Sequence, residues 1–270
     1  MANDATYALE WDKESEKLYE TGCDHGVLYV KRSKTSSSDE GTSILGIKEA
    51  KTFYSNGVVW NGLTSVSKSP SGAEANDIYA DNIKYASLRS AETFGGTIEA
   101  YMYPPEFAEC DGSAVVGNGV YVGQQRRKMF GFAFRSDIGS AAENGIDVDN
   151  DYKIHLIYNA TASPSEQSFS TINDSPEAIT MSWELTTLPE VIGTIGSGSN
   201  AVSYLPTATL TIDATKFTTE AEVNKLKAFE QILYGTPATT STVGGETVTV
   251  DAVDPMLPMP KDVIAFFTAS

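Results

Sequence analysis

Four stretches of this chain alternate apolar and polar residues with a period of two, and that pattern constrains the fold more than any other feature. Phe130, Phe132 and Phe134 alternate in "MFGFAFR"; Tyr152, Ile154, Leu156 and Tyr158 in "DYKIHLIYN"; Ile179, Met181, Trp183 and Leu185 in "AITMSWELT"; Leu210 and Ile212 in "ATLTIDA". Successive side chains of a strand point to opposite faces, so each stretch reads as a strand with one apolar and one polar side. "TVTVDA" near residue 250 repeats the pattern more weakly. Strands of this kind belong to antiparallel sheets with one face buried and one wet, which predicts a mainly β protein built as an antiparallel β-sandwich or partial barrel.

Turn signals divide these runs into short elements. In "KTFYSNGVVW" the pair Asn56-Gly57 sits between two β-rich runs, and Asn-Gly favours a hairpin because both residues tolerate positive φ. A second hairpin is expected around Gly117 to Gly119. "AETFGGTIEAYMYPPEF" reads as a strand entered through Gly95-Gly96 and stopped by Pro104-Pro105, with Ile98, Ala100 and Met102 on its core side and Thr97, Glu99, Tyr101 and Tyr103 on the other. One helix is predicted in "TTEAEVNKLKAFEQILYGTP": Thr219 and Glu222 form a capping box, Val223, Leu226, Phe229 and Leu233 make a stripe at helical spacing, and Gly235 and Pro237 supply the stop. It is expected to flank the sheet, stripe inward. Five polar stretches, 31–43, 136–150, 161–177, 190–200 and 235–246, are expected to be long assembly loops of a single domain spanning 1–270.

Hydrophobic residues make up 41% of the 270, enough for a sizeable core. The balance of 19 basic against 36 acidic residues gives a formal charge of -17 and a pI near 4.4, which argues against a surface that grips phosphates. Cys23 and Cys110 stand far apart without a C-x-x-C, so neither a zinc site nor a disulfide framework is expected, and a reduced cytoplasmic chain is the simplest reading. The start "MANDATYALEWDKESEK" has no apolar core, and no run approaches the roughly 18 apolar residues of a membrane helix, so neither a signal peptide nor membrane insertion is expected.

The motifs that carry chemistry are thin. There is no G-x-S-x-G and no Walker A loop, and "GNGVYVG" opens a strand rather than a helix, which makes it a turn rather than a nucleotide cradle. His25 and His155 lie in different segments; "CDH" at 23 to 25 places three adjacent residues that do not converge on one metal ion. "DVDND" at 147 to 151 begins like a calcium loop but has Tyr152 where glycine is required and Tyr158 where the bidentate glutamate belongs, so it reads as a solvated acidic loop. The cluster "QRRK" at 125 to 128 fits an ion-paired contact with an acidic copy of the same protein better than a nucleic-acid surface. Glu99 and Glu184 occupy polar faces of their strands, and two carboxylates about 5 to 10 Å apart on a concave face suit glycoside hydrolysis. In a chain this acidic, solvated carboxylates on wet faces are the simpler reading, and no enzyme activity, metal or cofactor is expected.

Longer segments carry a family resemblance. "GVVWNGLTSVSKSPSGAE", "YADNIKYASL", "AETFGGTIEAYMYPPEFAECDG", "GQQRRKMFGFAFRS", "YKIHLIYNATASPSEQSFSTINDSPEAITMSWELTT" and "LPMPKDVIAFF", in this order and spacing, resemble the major tail tube proteins of long-tailed, siphovirus-type bacteriophages over residues from about 20 to the end. The resemblance implies the tail-tube fold, a β-sandwich flanked by a helix, whose inner sheets join around a hexameric ring as one barrel. Rings stack into the tube through which double-stranded DNA leaves for the host.

It further implies a structural virion protein, found in the phage tail and, during assembly, in the host cytoplasm. Its partners would be other copies of itself, tape-measure and tail-terminator or baseplate proteins, and DNA in transit without specific binding. On that reading Thr97, Glu99, Thr180, Ser182, Glu184 and Thr186 are candidate lumen residues. Arg126, Arg127, Lys128, Lys31, Arg32 and Lys34 are candidates for contacts between subunits or rings, with 31–43 as the loop reaching the next ring. Two other readings remain: the tube of a contractile injection or type VI-like secretion system, and a carbohydrate-active β-sandwich using Glu99 and Glu184 or exposed Tyr101 and Trp183.

Overall fold

The computed structural model describes residues 18–33, 52–72, 74–142, 145–169, 171–172, 178–196, 201–243 and 246–268. The chain enters through β1 (Leu18–Ser33) and β2 (Thr52–Val59), passes into β3 (Leu63–Lys68), makes a ribbon of β4 (Ala75–Ala80) and β5 (Ile83–Arg89), and returns through β6 (Gly95–Ala100). After a 3-10 turn at Pro105–Glu109 come the hairpin of β7 (Ala114–Gly117) and β8 (Val120–Val122), the long pair β9 (Phe130–Ala142) and β10 (Gly145–Ala162), and β11 (Met181–Thr187). The short strands β12 (Gly193–Ile195) and β13 (Val202–Tyr204) pair with each other, and β14 (Thr209–Asp213) leads through a second 3-10 turn to helix α1 (Glu220–Tyr234). A hairpin of β15 (Thr239–Val243) and β16 (Glu246–Val250), the two-residue β17 (Met256–Leu257) and helix α2 (Pro260–Thr268) complete the chain.

The protein is mainly β and its sheets are antiparallel, as the alternation predicts. The largest runs β17-β2-β1-β9-β10-β11-β6-β3, with β14 beside β10. β2 and β3 stand near opposite ends of that path, yet only 60–62 separate them, so the sheet must coil until its ends approach. Trp60 sits at this seam, its backbone N–H donating to the Gly26 carbonyl at 2.8 Å. A Cβ on Gly26 would lie 2.2 Å from Leu63 Cδ1 and 3.2 Å from the Trp60 carbonyl oxygen, so any larger residue would have to displace Leu63. Among the described residues no ladder joins the two ends, and the sheet is a partial rather than a closed barrel.

Coiling gives the sheet an inside and an outside, and both are packed. Inside, Leu28, Trp60, Ile98, Phe107, Phe130, Phe132, Phe134, Ile157, Trp183 and Leu185 form one core. Trp60 meets Phe107, Phe132 and Trp183 with ring centroids 4.6, 5.5 and 5.6 Å away, the tilted geometry aromatic quadrupoles favour. Outside, Tyr29, Tyr54, Ala133, Ile154, Leu156, Tyr158 and Ile212 pack under Leu226, Phe229 and Leu233 of α1 and Val263 of α2. The Tyr29 hydroxyl donates to the Leu233 carbonyl at 2.6 Å, satisfying an acceptor that the helix end leaves free.

The one-wet-face expectation therefore holds for β6 and β11 and fails for the middle of the sheet. Ile154, Leu156 and Tyr158 do share a buried face, but His155 and Ile157 between them are buried too, against the inner core. Residues covered on two sides no longer alternate in polarity.

Other expectations are corrected by the backbone. Asn56-Gly57 is not a hairpin turn: β2 runs through it, and Asn56, at φ 54°, lies where the β1 pairing jumps from Leu28↔Val58 to Val30↔Ser55, a bulge. The stretch 136–150 is not a loop, because β9 and β10 extend through it as a paired ribbon that carries Asp147–Asp151 on a strand. The stretch 235–246 holds most of the β15–β16 hairpin, 190–200 contains β12, and 31–33 belong to β1. The rest of 31–43, with Lys34, lies outside the described residues; 163–169 have no regular structure, as expected. α1 matches its prediction, with the Thr219–Glu222 capping box and Gly235 at φ 75° just beyond it. α2 was not anticipated, although Pro260 and Asp262 in its first turn are ordinary helix-start signals. Met102, assigned to the core side, is 65% exposed because β6 ends at Ala100.

Candidate functional site

The predicted lumen residues converge on one surface. β3, β6 and β11 lie side by side, with Ser65 opposite Glu99 and Glu99 opposite Ser182, Ser67 opposite Thr97 and Thr97 opposite Glu184, and Thr186 opposite Gly95. Val66, Ile98, Ala100, Trp183 and Leu185 turn inward, which leaves Ser65, Ser67, Thr97, Glu99, Ser182, Glu184 and Thr186 on the opposite face. Thr180 is exposed one residue before β11. The Ser65 hydroxyl donates to Glu99 Oε2 at 2.8 Å, and sequence reasoning had missed this neighbour because cross-strand register is not written in either strand alone. Lys68 is the only basic residue of the three strands, and its ammonium is turned to the interior, 2.6 Å from His155 Nδ1. The outward surface therefore holds hydroxyls and two carboxylates and no cation from these strands. Gly96 permits the close packing beneath it, since a Cβ there would lie 2.4 Å from the Ser67 carbonyl oxygen.

A polar plug closes the apolar interior at the His155 end. Accepting from Lys68 makes Nδ1 the unprotonated nitrogen, so Nε2–H donates to Ser136 Oγ at 2.9 Å, and the Ser136 hydroxyl donates to Glu20 at 2.7 Å. Lys153 donates to the other Glu20 oxygen at 2.6 Å, and the imidazole stacks on Phe134 with centroids 4.7 Å apart. Burial, together with Lys68, pushes the His155 pKa down to about 4; the hydrogen bonds from Lys153 and Ser136 hold Glu20 at about 2. Ser136 is buried and its proton is committed to Glu20, so the chain of contacts is structural rather than nucleophilic.

The basic residues predicted as contacts divide into internal anchors and exposed side chains. Lys31 is held inside the chain, donating to Glu190 at 2.9 Å and to Asn159. Arg127 donates to Asp111 at 3.1 Å and to the Ala162 carbonyl at 3.0 Å, and Lys128 donates to Glu109 at 2.5 Å. Arg32 and Arg126 are exposed. Lys31, Arg32 and Lys128 nevertheless meet at one cleft of about 770 Å³, with Val30, Pro105, Glu106, Glu109 and Val115.

Two exposed hairpins lie outside both cores. Ile78, Tyr79, Ile83, Tyr85 and Leu88 on β4–β5 are 40 to 75% exposed, and Val115, Val116, Val120, Tyr121 and Val122 on β7–β8 are 44 to 69% exposed. The Gly117–Gly119 turn predicted for the second is present, with Gly119 at φ 77°.

The remaining chemical candidates resolve into packing. In "CDH" Cys23 packs toward the inner core, while Asp24 accepts two bonds from Arg135 at 3.1 Å each and lies 2.8 Å from His25 Nδ1, and the His25 ring lies 6.1 Å from that of Tyr234. Burial pushes the Cys23 thiol to about 11 and the Cys110 thiol to about 12, so neither is a ready nucleophile. Among the described residues no three His, Cys, Asp or Glu side chains group to hold a metal. Trp183 is fully buried and unavailable as a sugar platform, whereas Tyr101 is 52% exposed.

The fold and site define a mainly β protein with a coiled antiparallel sheet, a polar face to which β3, β6 and β11 contribute no cation, and projecting apolar hairpins. No family model and no curated protein matches the chain. Among solved structures it is similar to a chain in a cryo-EM structure of the anti-feeding prophage (AFP) baseplate, 6-fold symmetrised. The identity is 9% and the TM-score 0.29, over 70% of this chain and 93% of that one.

Proposed function

We propose that this protein is a structural subunit that self-assembles, without catalysis, into stacked hexameric rings forming a phage tail tube, the conduit for double-stranded DNA. The observation that carries the reading is the β3–β6–β11 face, which presents Glu99, Glu184 and five hydroxyl side chains and no basic one. Duplex DNA carries one charge per roughly 1.7 Å of axis, so a wall of this composition repeats carboxylates around the bore and repels the cargo it passes. Among the described residues the outer edge of β3 has no partner strand, which supports the same reading, because an open edge invites a strand from a neighbour and a ring of copies removes it. The sequence resemblance to tail tube proteins supplies the hexamer and the cargo.

Negative-stain microscopy of the purified protein, alone and with tail partners, tests the proposal. Rings or tubes with a central bore are expected. A chain that stays monomeric at high concentration and is absent from purified tails is not a tube subunit.

A further inference from the structure

We propose that the β4–β5 hairpin is a docking arm whose seat, on a second copy of this chain, is the β7–β8 hairpin and the adjoining cleft lined by Val30, Arg32, Val115 and Lys128. The inference rests on the self-assembly reading and adds which surfaces meet. β3 and β6 continue past their ladder through the Ser69–Gly95 hydrogen bond and the Ser71↔Thr93 bridge, and β4–β5 projects beyond them, exposed along nearly its whole length. A two-stranded hairpin alone in water is marginal at best, so five large apolar side chains on one call for a cover.

Area and charge both select the seat. At roughly 200 Å² per large side chain, the exposed apolar groups amount to about 600 Å² on the arm and about 550 Å² on the seat. A stable interface needs roughly 800 Å² per partner, a little over half of it apolar, so each surface is about the size the other requires.

Residues 113–128 contain Arg126, Arg127 and Lys128 and no acidic residue, in a chain whose net charge is -17. Residues 74–92 contain Glu74, Asp77, Asp81 and Glu92 against Lys84 and Arg89. After the internal pairs Asp77–Lys84, Asp111–Arg127 and Glu109–Lys128 are set aside, the arm keeps Glu74, Asp81 and Glu92 against Arg89, and the seat keeps Arg32 and Arg126 against Glu106, among the described residues, so the arm stays acidic and the seat basic. Arm and seat are different surfaces, so the contact is head to tail and propagates from copy to copy.

Sedimentation velocity on the full chain tests this with Tyr85→Asp in the arm and Val116→Asp in the seat. Both sites lie outside the two cores, so each variant should melt like the parent while needing at least about tenfold more protein to assemble. Mixed, they should associate at concentrations where neither variant assembles alone, since one retains only a seat and the other only an arm. Asp81→Arg and Arg126→Asp should each weaken assembly, and together restore it. Parent-like assembly by either apolar variant, or no association in the mixture, overturns the docking assignment while leaving self-assembly standing. A parent chain that never associates removes the self-assembly reading and this inference with it.

Discussion

The fold resists protonation of His155. The folded chain binds its proton less tightly than the unfolded chain, because burial and Lys68 disfavour the imidazolium. Stability from the neutral ring is therefore complete above pH 6.5 and is lost as pH falls toward 4, a difference of about 3 kcal/mol. Glu20, held at about 2, adds a loss of the same sign lower down, as pH falls from 4.5 toward 2. Urea unfolding should show stability falling between pH 6.5 and 4, and His155→Gln should flatten that segment of the profile. Gly96→Ala should cost about 1 to 3 kcal/mol, read as a lower Tm, because the new Cβ meets backbone rather than a movable side chain. Arg127 and Arg126 are adjacent and alike in sequence, yet Arg127→Glu should lower Tm by breaking the Asp111 and Ala162 contacts, and Arg126→Glu should leave Tm unchanged.

At the scale of elements, α1 shows how local and tertiary signals combine. Its capping box is readable from Thr219 and Glu222, and Thr219→Ala should cost about 1 kcal/mol in unfolding experiments. Its stripe is also readable, but the partners of Phe229 are not: Phe267 of α2 lies 5.2 Å away by ring centroid, and the strands beneath are far apart in sequence. Phe229→Ala should therefore cost more, about 3 to 5 kcal/mol. The ribbon at 136–150 was misread because "SDIGSAAENGIDVDN" has loop composition, whereas β9 and β10 pair through it from the register set by their apolar halves.

The whole molecule separates its charges by position rather than by number. Among the described residues Lys31, Arg127 and Arg135 are spent on internal anchors, while strands β3, β6 and β11 put only acid and hydroxyl on their outward face. Fluorescence anisotropy at physiological salt should detect no binding to duplex DNA. Glu99→Lys with Glu184→Lys should produce salt-sensitive binding by assembled material if that face lines the bore; unchanged DNA transparency of assembled tubes would place it elsewhere.

The class of structure is legible along the chain: period-2 alternation makes strands, Thr219 to Gly235 make a helix, and the inward sets Ile98 with Ala100 and Trp183 with Leu185 follow from parity alone. Those are properties of neighbours along the chain, where local sterics and amphipathicity suffice. Tertiary structure decided that 60–62 close a coiled sheet, that its middle strands are buried twice, that Lys68 reaches His155, and that Ser65 meets Glu99. Each of these depends on register and coiling between segments distant in sequence. Their energy comes from contacts that exist only once the sheet has coiled.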